Sequence, residues 1–374
     1  MKHATFVVPS LIKASYATSR RAATGIQIAQ TGVALIMSDG ALTHGAAISA
    51  PVTSSPERDA VAHARDVMEQ IRANVAKVIV GRRASVDLLL VALLSEGHVL
   101  LEDVPGMGKT VMARALARSI AASFSRVQGT ADLLPSDIVG VSVYNPREGT
   151  FEYRRGPIFA SILLVDEINR ATPRTQSALL EAMQERQVTA DGKTMPLPAP
   201  FLVIATQNPI ELEGTFPLPE AQLDRFLLRI RTTYPTMDEE MSMLYRFKED
   251  EPLETLAPVT SGPELLSLLP IVRKTRVSQP VAKYLLDLIR ATRAHPAIHL
   301  GASPRAALAL FRASQALAVI EGRDYVLPDD IKLLAAPVLG HRLTLTSQAA
   351  LQAQDVDQII RELVEALPVP VERA

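Results

Sequence analysis

Hydrophobic patterns typical of strands and helices alternate through the middle of the chain. The apolar run Gly97-His98-Val99-Leu100-Leu101 predicts a buried strand, and the spacing of Met112, Leu116 and Ile120 predicts a helix over 110–122. Further strands are predicted over 123–127, 161–165, 201–206 and 227–230, and further helices over 84–95 and 173–184. Strands that alternate with helices predict an α/β fold with a parallel sheet flanked by helices.

Two short antiparallel ribbons and a helical tail complete the predicted organisation. The ribbons are expected at 141–154 and 187–197, because alternating residues flank turn signals such as Asp191-Gly192. After Tyr234-Pro235 the strand signals stop, and helices are predicted over about 238–248, 262–269, 278–294, 303–321, 328–336 and 354–366. We therefore expect an α/β domain over 57–235 and an all-helical domain over 236–374.

Residues 1–56 differ from the rest of the chain in composition. Small and polar residues dominate, basic residues occur early, and no acidic residue precedes Asp39. This resembles an organelle-targeting leader, although it lacks the apolar core of a secretory signal. A poorly ordered extension, or a start codon placed too far upstream, explains the composition equally well. A new helix is predicted from about Pro56, with Val61, Val67 and Ile71 facing a core.

Composition narrows the possible functions. The 374 residues include no cysteine, which excludes disulfides, thiolate catalysis and zinc held by sulfur, and favours a cytoplasmic location. The formal net charge of −1 gives no global basic field to attract nucleic acid or an anionic membrane. The apolar stretches, such as 159–165, are too short to span a bilayer.

The loop that joins the strand at 99–102 to the next helix carries a phosphate-binding pattern, Gly106-Met107-Gly108-Lys109-Thr110. Glycines let backbone N–H groups approach phosphate oxygens, Lys109 can reach the β and γ phosphates, and Thr110 can hold Mg²⁺. The first glycine of the strict pattern is replaced by Asp103. A loop that only caps a helix is the alternative interpretation.

Polar side chains follow two other predicted strands. Asp166 and Glu167 follow the apolar run 163–165, at the strand end where α/β sheets bind ligands. Asp166 would hold Mg²⁺ and Glu167 would polarise an attacking water, although a solvated strand end is the alternative. Asn208 ends the strand at 201–206 and could bond the γ phosphate or that water; Asn before Pro is also common in turns.

Two arginines are further candidates. Arg225, in Asp224-Arg225-Phe226, could be supplied to a neighbouring subunit to stabilise charge on a γ phosphate, or could form a structural Asp-Arg pair at a helix end. Arg305 opens a predicted helix behind Ser303 as N-cap and Pro304 at the first helical position. It could close over a nucleotide or simply be solvated.

The chain from about 60 to 367 resembles the AAA+ ATPases, specifically the MoxR type. The resemblance rests on six blocks in order: Glu102 to Thr110, Arg155-Gly156-Pro157-Ile158-Phe159, Asp166-Glu167-Ile168-Asn169-Arg170, Gln176 to Glu185, Ala205-Thr206-Gln207-Asn208-Pro209, and Gly301-Ala302-Ser303-Pro304-Arg305. This family's version of the loop tolerates an aspartate at position 103.

The resemblance implies roles for individual residues. Lys109 and Thr110 match Walker A, Asp166 and Glu167 match Walker B, Asn208 matches sensor 1, Arg225 the arginine finger and Arg305 sensor 2. The ribbons match the helix-2 and pre-sensor-1 inserts of one AAA+ branch. The residues implied to contact ATP are Val80 and Gly81 beside the adenine, then Pro105, Gly106, Met107, Gly108, Lys109, Thr110 and Val111 around the phosphates.

The resemblance also implies a function: an ATP- and Mg²⁺-dependent, chaperone-like motor that works as a homo-oligomeric ring, expected to be a hexamer. Its implied clients carry a von Willebrand factor A domain and are matured or loaded with metal. One alternative is a DNA-acting motor of the helicase kind, but the ribbon at 187–197 offers one lysine, Lys193, and no aromatic residue. Another alternative is a nucleotide-gated scaffold with little turnover, which could have lost Glu167, Asn208 and Arg225.

Overall fold

The computed structural model describes residues 56–102, 106–190, 192–208, 214–232, 234–246 and 252–370. These residues belong to one compact unit that spans Thr53–Ala374. The predictions made for residues 1–55, and those for Asp103 and Pro105, lie outside the described residues.

The longer strands and helices of the described residues follow one another in the predicted order. The strands are β1 (Val99–Glu102), β2 (Phe124–Gln128), β3 (Gly140–Asn145), β4 (Thr150–Arg155), β5 (Ile162–Asp166), β6 (Gln187–Ala190), β7 (Lys193–Pro196), β8 (Leu202–Gln207), β9 (Leu228–Arg231), β10 (Ile298–Leu300) and β11 (Thr344–Leu345). The helices are α1 (Pro56–Ala76), α2 (Arg83–Leu94), α3 (Lys109–Ser119), α4 (Pro135–Val139), α5 (Pro173–Glu185), α6 (Glu220–Leu223), α7 (Met237–Arg246), α8 (Gly262–Lys274), α9 (Gln279–Ala294), α10 (Pro304–Ile320), α11 (Pro328–Leu339), α12 (Ser347–Leu351) and α13 (Val356–Ala366). The short elements α4, α6, α12, β10 and β11 were not predicted.

A five-stranded sheet in the order β2-β5-β8-β1-β9 forms the centre of the fold. Each neighbouring pair is parallel, and the register pairs Glu102 with Gln207 and Val165 with Ala205. All carboxyl ends therefore lie at one edge. Helices follow β1 and separate successive strands, as parallel connections require. The predicted α/β fold class is confirmed.

Both faces of the sheet are covered, which explains why its strands are almost continuously apolar. Alternate residues of one strand pack into different cores: Leu164 of β5 joins the core under α1, α2 and α3, whereas Leu163 joins the core under α5. The first of these cores continues into α8 to α11 and α13. One face of the sheet is thus stabilised by the same apolar cluster as the C-terminal helices.

Two helix ends were predicted too early, both at a proline. The predicted helices ended at 269 and 336, but α8 continues through Pro270 to Lys274 and α11 continues through Pro337 to Leu339. A proline removes one backbone hydrogen bond from a helix interior. Buried side chains beyond each proline, Val272 in α8 and Val338 in α11, are consistent with core packing that offsets this cost.

The C-terminal part is mainly helical, as expected, with one correction. Strands β10 and β11 pair antiparallel beside α9, so the prediction of helices alone after residue 235 was wrong at this ribbon. These strands have three and two residues, too few for a period-two pattern to stand out. The boundary near residue 235 stays a prediction.

His98, the residue before β1, connects the start of that strand to α5 and β8. The residue is buried, with Nε2 3.0 Å from the carbonyl oxygen of Met183 in α5 and Nδ1 accepting the backbone N–H of Val203 at 3.1 Å. A ring that donates at one nitrogen and accepts at the other is neutral. Burial, which disfavours the charged form, lowers the pKa of His98 to about 4.

Because the pKa of His98 is lowered, we expect the fold to lose stability in acid. Below the unfolded-state pKa of about 6.5, His98 binds a proton in the unfolded chain but stays neutral in the folded protein. The free energy of unfolding therefore falls as the pH drops toward about 4. The expected loss from His98 is about 2 kcal/mol by about pH 5. Burial also lowers the pKa of His341, which acts in the same direction. Denaturant unfolding at a series of pH values measures the effect.

The matched control is His98→Leu, which removes the titrating ring and should weaken the pH dependence while lowering stability at every pH. Equal unfolding free energies of the unmodified protein at pH 7 and pH 5 would contradict the assignment.

Candidate functional site

A cleft of about 320 Å³ lies at the carboxyl ends of β1, β5 and β8. Its lining residues come from the loop before α3, from α3 itself and from the ends of β2, β5 and β8; they are Gly106, Met107, Gly108, Lys109, Thr110, Val111, Arg126, Gln128, Asp166, Glu167, Thr206 and Asn208. In open α/β sheets this edge is where ligands bind.

The loop before α3 has a backbone that favours glycine at two positions. Gly106 and Gly108 have φ angles of +84° and +75°, in the left-handed region. A Cβ atom at either position would meet no other atom, so backbone conformation rather than crowding is the constraint there. Gly108 is the N-cap of α3, and the unpaired N–H groups of that helix end therefore lie at the cleft. Such an end attracts anions.

Asp166 ends β5 as a buried carboxylate with its charge compensated. Arg126 of β2 donates Nε to Asp166 Oδ2 at 2.6 Å, and the Thr206 hydroxyl of β8 donates to Oδ1 at 3.3 Å. The ion pair is only half sheltered, because the Arg126 side chain is 51% exposed. Asp166 thus lies between a cation and a hydroxyl, each from a neighbouring strand.

Glu167 has a strained backbone that its neighbours hold in place. Its φ of +54° lies in the left-handed region, which costs a non-glycine residue about 1–3 kcal/mol. Its N–H donates to Thr206 Oγ1 at 2.9 Å, and its Oε2 accepts from Gln128 Nε2 at 2.9 Å and pairs with Arg170 Nε at 3.1 Å. The left-handed conformation turns the chain sharply after β5, and the Glu167 carboxylate lies in the cleft.

Gly129 lets the end of β2 approach this turn closely. Its N–H donates to the Asp166 carbonyl oxygen at 2.6 Å, and a Cβ atom at position 129 would lie 2.2 Å from the Glu167 carbonyl oxygen. Gln176 of α5 supports the segment that follows, since its Nε2 donates to the carbonyl oxygens of Ile168, Ala171 and Phe216. The carboxylate pair is therefore fixed on both sides.

The lining matches the chemistry of a phosphate ester bound with a divalent cation. It combines a helix N-terminus, one lysine, the Thr110 hydroxyl and two carboxylates. Within the described residues, no group of three or more His, Cys, Asp or Glu side chains could hold a metal ion. A cation at Thr110 and Asp166 would depend on few protein ligands, which suits Mg²⁺.

The structure brings together nine of the predicted site residues in this one cleft: Gly106, Met107, Gly108, Lys109, Thr110, Val111, Asp166, Glu167 and Asn208. Val80 and Gly81 do not line it. Gly81, with a φ of +75°, borders a separate hollow of about 250 Å³ and lies against Glu239 of α7. Their predicted contact with adenine stays a prediction.

Arg225 and Arg305 also lie outside this cleft. Arg225 is partly buried between α6 and β9, and Arg305 is exposed in the first turn of α10. Ser303 caps that helix by accepting the N–H of Ala306 at 3.1 Å, as predicted. The finger and sensor roles of the two arginines stay predictions.

Sequence reasoning missed three cleft residues that contact the carboxylates, Arg126, Gln128 and Thr206. Arg126 and Gln128 alternate on β2, and the pairing of β2 with β5 places Gln128 opposite Asp166. That register could have been anticipated only after the strand order was known. Thr206 belongs to the sequence block Ala205-Thr206-Gln207-Asn208-Pro209, and its position near the end of β8 was the available signal.

Comparison with known protein families identifies two matching segments. Residues 98–228 match the ATPase family associated with various cellular activities (AAA), and residues 290–363 match the AAA lid domain. The first match contains every residue of the cleft.

Relatives match over most of their own length. The uncharacterised protein YeaC of Bacillus subtilis is 51% identical over 80% of this chain and 94% of its own, and Chaperone MoxR1 of Mycobacterium tuberculosis is 41% identical over 88% of this chain and 90% of its own. A solved structure of a candidate ATPase from Cytophaga hutchinsonii superposes with a TM-score of 0.79 at 38% identity, covering 84% of this chain and 98% of that one.

Proposed function

The chain belongs to the MoxR-type AAA+ ATPases, and from this membership we propose that it hydrolyses ATP with Mg²⁺ at a site that a neighbouring subunit completes. The energy released would remodel or mature partner proteins. The observation that carries the proposal is the cleft in which Lys109, Asp166 and Glu167 meet, while Arg225 of the same chain does not line it. A site whose own arginine, Arg126, is paired with Asp166 fits a ring in which the next subunit supplies a further arginine.

The polar groups proposed to act on the nucleotide have separate roles. The N–H groups at the start of α3 and the Lys109 ammonium would bind the phosphates, while the Thr110 hydroxyl and Asp166 would hold Mg²⁺. When bound, the metal ion would supply charge neutralisation at the phosphate oxygens. Glu167 and Asn208 would orient a water for attack on the γ phosphate. Because Gln128, Arg170 and Thr206 fix Glu167, its carboxylate is preorganised for that task.

The assembly, clients and location are part of the same proposal. We propose a homo-oligomeric ring, expected to be hexameric, whose C-terminal helices after about residue 235 act as the lid. Clients with a von Willebrand factor A domain, their loading with metal, and a cytoplasmic location follow from the family resemblance. The name of the relative Chaperone MoxR1 supports protein clients. None of the helices in the described part of the chain has the length and apolar character that a bilayer crossing needs.

Nucleotide affinity gives a first test. Lys109→Ala removes the one lysine of the cleft and is expected to weaken ATP binding about 10- to 100-fold, because a charge-assisted hydrogen bond contributes about 1.5–3 kcal/mol. Titration of a fluorescent ATP analogue, with Mg²⁺ present or chelated, measures this effect. Lys283→Ala, on the exposed side of α9, is the matched control and should bind normally. Equal affinity of both variants would reject the assignment of the cleft.

A further inference from the structure

Two consecutive side chains after α11, His341 and Arg342, bind the segment that carries Arg225. Arg342 donates Nε to Asp224 Oδ1 at 2.7 Å, Nη1 to the Leu227 carbonyl oxygen at 3.0 Å and Nη2 to the Phe226 carbonyl oxygen at 2.5 Å. His341 Nε2 lies 3.1 Å from the same Phe226 oxygen. The residues bound by this pair flank Arg225 on both sides in the sequence.

The segment 224–227 depends on these donors because it lies between α6, which ends at Leu223, and β9, which begins at Leu228. The carbonyl groups of Phe226 and Leu227 therefore lie outside any helix or strand. Buried carbonyl oxygens require hydrogen-bond donors. The Arg342 side chain is 3% exposed. A planar guanidinium carries its donors on three separate nitrogens and can bind a carboxylate and two carbonyl groups in different directions at once, whereas the three donors of an ammonium share one nitrogen.

Asp224 also connects this segment to α10. The Ser303 hydroxyl, which caps α10, reaches Asp224 Oδ2 at 3.5 Å. Burial lowers the pKa of Arg342, and the charge of Arg305, two residues after Ser303, lowers it further. The two arginines predicted to act on nucleotide are therefore adjacent to a single Asp224–Arg342 ion pair.

A second arginine–carboxylate pair among the C-terminal helices provides a comparison. Arg323 donates to both oxygens of Asp330, at 2.8 and 2.6 Å, and its Nη1 also donates to the Tyr325 carbonyl oxygen at 3.0 Å. These contacts all lie within 323–330, so this pair stabilises the C-terminal helices without binding the segment 224–227. A variant of the Arg323–Asp330 pair therefore shows what a loss of stability alone does to hydrolysis.

We infer that Arg342, assisted by His341, is a positioning residue that holds Arg225 in the conformation needed at the neighbouring subunit's ATP site. The inference rests on the proposed function, in which Arg225 acts between subunits. Because Arg342 directly follows α11, a change in the position of the C-terminal helices within one subunit would move Arg225 and alter hydrolysis in the next. The Asp224–Arg342 pair is then the physical link between successive sites.

The test is a mixed-assembly experiment with single-turnover hydrolysis of ATP. Arg342→Lys keeps the charge opposite Asp224 but has a single nitrogen in place of the three that bind Asp224, Phe226 and Leu227. Assemblies of this variant are expected to hydrolyse about 10- to 100-fold more slowly, with ATP affinity within about two-fold of normal. Assemblies that also contain Glu167→Gln subunits, isolated by a different tag on each chain, should regain a fast phase. In those assemblies, an intact Arg225 of a Glu167→Gln subunit faces an intact site of an Arg342→Lys subunit.

Each outcome decides the inference. A fast phase in the mixture, absent from either variant alone, supports it. If Arg342→Lys alone hydrolyses at the normal rate, or if its mixture gains no fast phase while a parallel mixture of Arg225→Ala with Glu167→Gln does, the positioning role is wrong and the shared site stands. If the Arg225→Ala mixture gains no fast phase either, the shared site itself is wrong and the inference fails with it.

Two further variants guard against misfolding. Arg323→Lys should lower the thermal unfolding temperature without slowing hydrolysis, as a structural pair would. If Arg342→Lys does not fold, Asp224→Asn replaces it, because this change weakens the same ion pair and leaves the arginine in place. The same slow phase and the same recovery in mixed assemblies are expected, and their absence would overturn the inference.

Discussion

Replacement of Arg225 by alanine is expected to slow ATP hydrolysis about 10³- to 10⁵-fold, the largest effect that this account predicts. Hydrolysis builds negative charge on the γ-phosphate oxygens, and a guanidinium at that position stabilises the charge. Lys109 is the one lysine of the cleft, and the cleft's own arginine, Arg126, is paired with Asp166. A second cation for the γ phosphate must therefore come from elsewhere, and Arg225 of a neighbouring subunit is the proposed source.

The affinity for ATP distinguishes a catalytic loss from damage to the fold. Arg225 does not line its own chain's cleft, so Arg225→Ala should bind ATP normally in the same titration that detects the Lys109→Ala defect. Arg361→Ala, a change of the same size on α13, is the matched control and should hydrolyse ATP at the normal rate. Hydrolysis by Arg225→Ala within about ten-fold of normal would contradict the finger role.

Glu167→Gln is expected to slow hydrolysis about 10²- to 10⁴-fold, the range for loss of a general base. The amide has the shape of the carboxylate and can still accept from Gln128 and Arg170, so the left-handed turn at position 167 should be retained. The variant should therefore bind ATP without turning it over. Steady-state hydrolysis together with nucleotide binding measures both properties.

Glu181→Gln, on the exposed side of α5, is the matched control and should hydrolyse ATP normally. The same trapped state tests the proposed clients. With ATP present, Glu167→Gln assemblies should retain a purified protein that carries a von Willebrand factor A domain longer than the unmodified assemblies do. Normal turnover by Glu167→Gln would reject the role of this carboxylate.

The order of strands and helices could be predicted because local patterns determined it. The apolar run 161–165 before Asp166 predicted a buried strand, and Gly106 and Gly108 predicted a loop whose backbone can approach phosphate. Parallel strands then placed Lys109, Asp166 and Asn208 at one edge, since that edge collects all carboxyl ends. The MoxR-type assignment, predicted from six blocks of residues, is confirmed.

Contacts between distant segments could not be predicted from such patterns. Arg126 meets Asp166, 40 residues away, because β2 pairs with β5, and Arg342 meets Asp224 across 118 residues. Neither arginine has a periodicity or a neighbouring motif that reveals its partner. The helices that continue through Pro270 and Pro337 show the same limit, because tertiary packing there outweighs the local preference of proline to end a helix.

The most direct test of the shared site is the specific ATPase activity of the unmodified protein as a function of its concentration, measured with the assembly mass in the same samples. If each site needs Arg225 from a neighbour, activity per subunit should rise with concentration and reach a plateau as the assembly forms. Activity per subunit that stays at the plateau value at dilutions where only monomers are present would contradict the account.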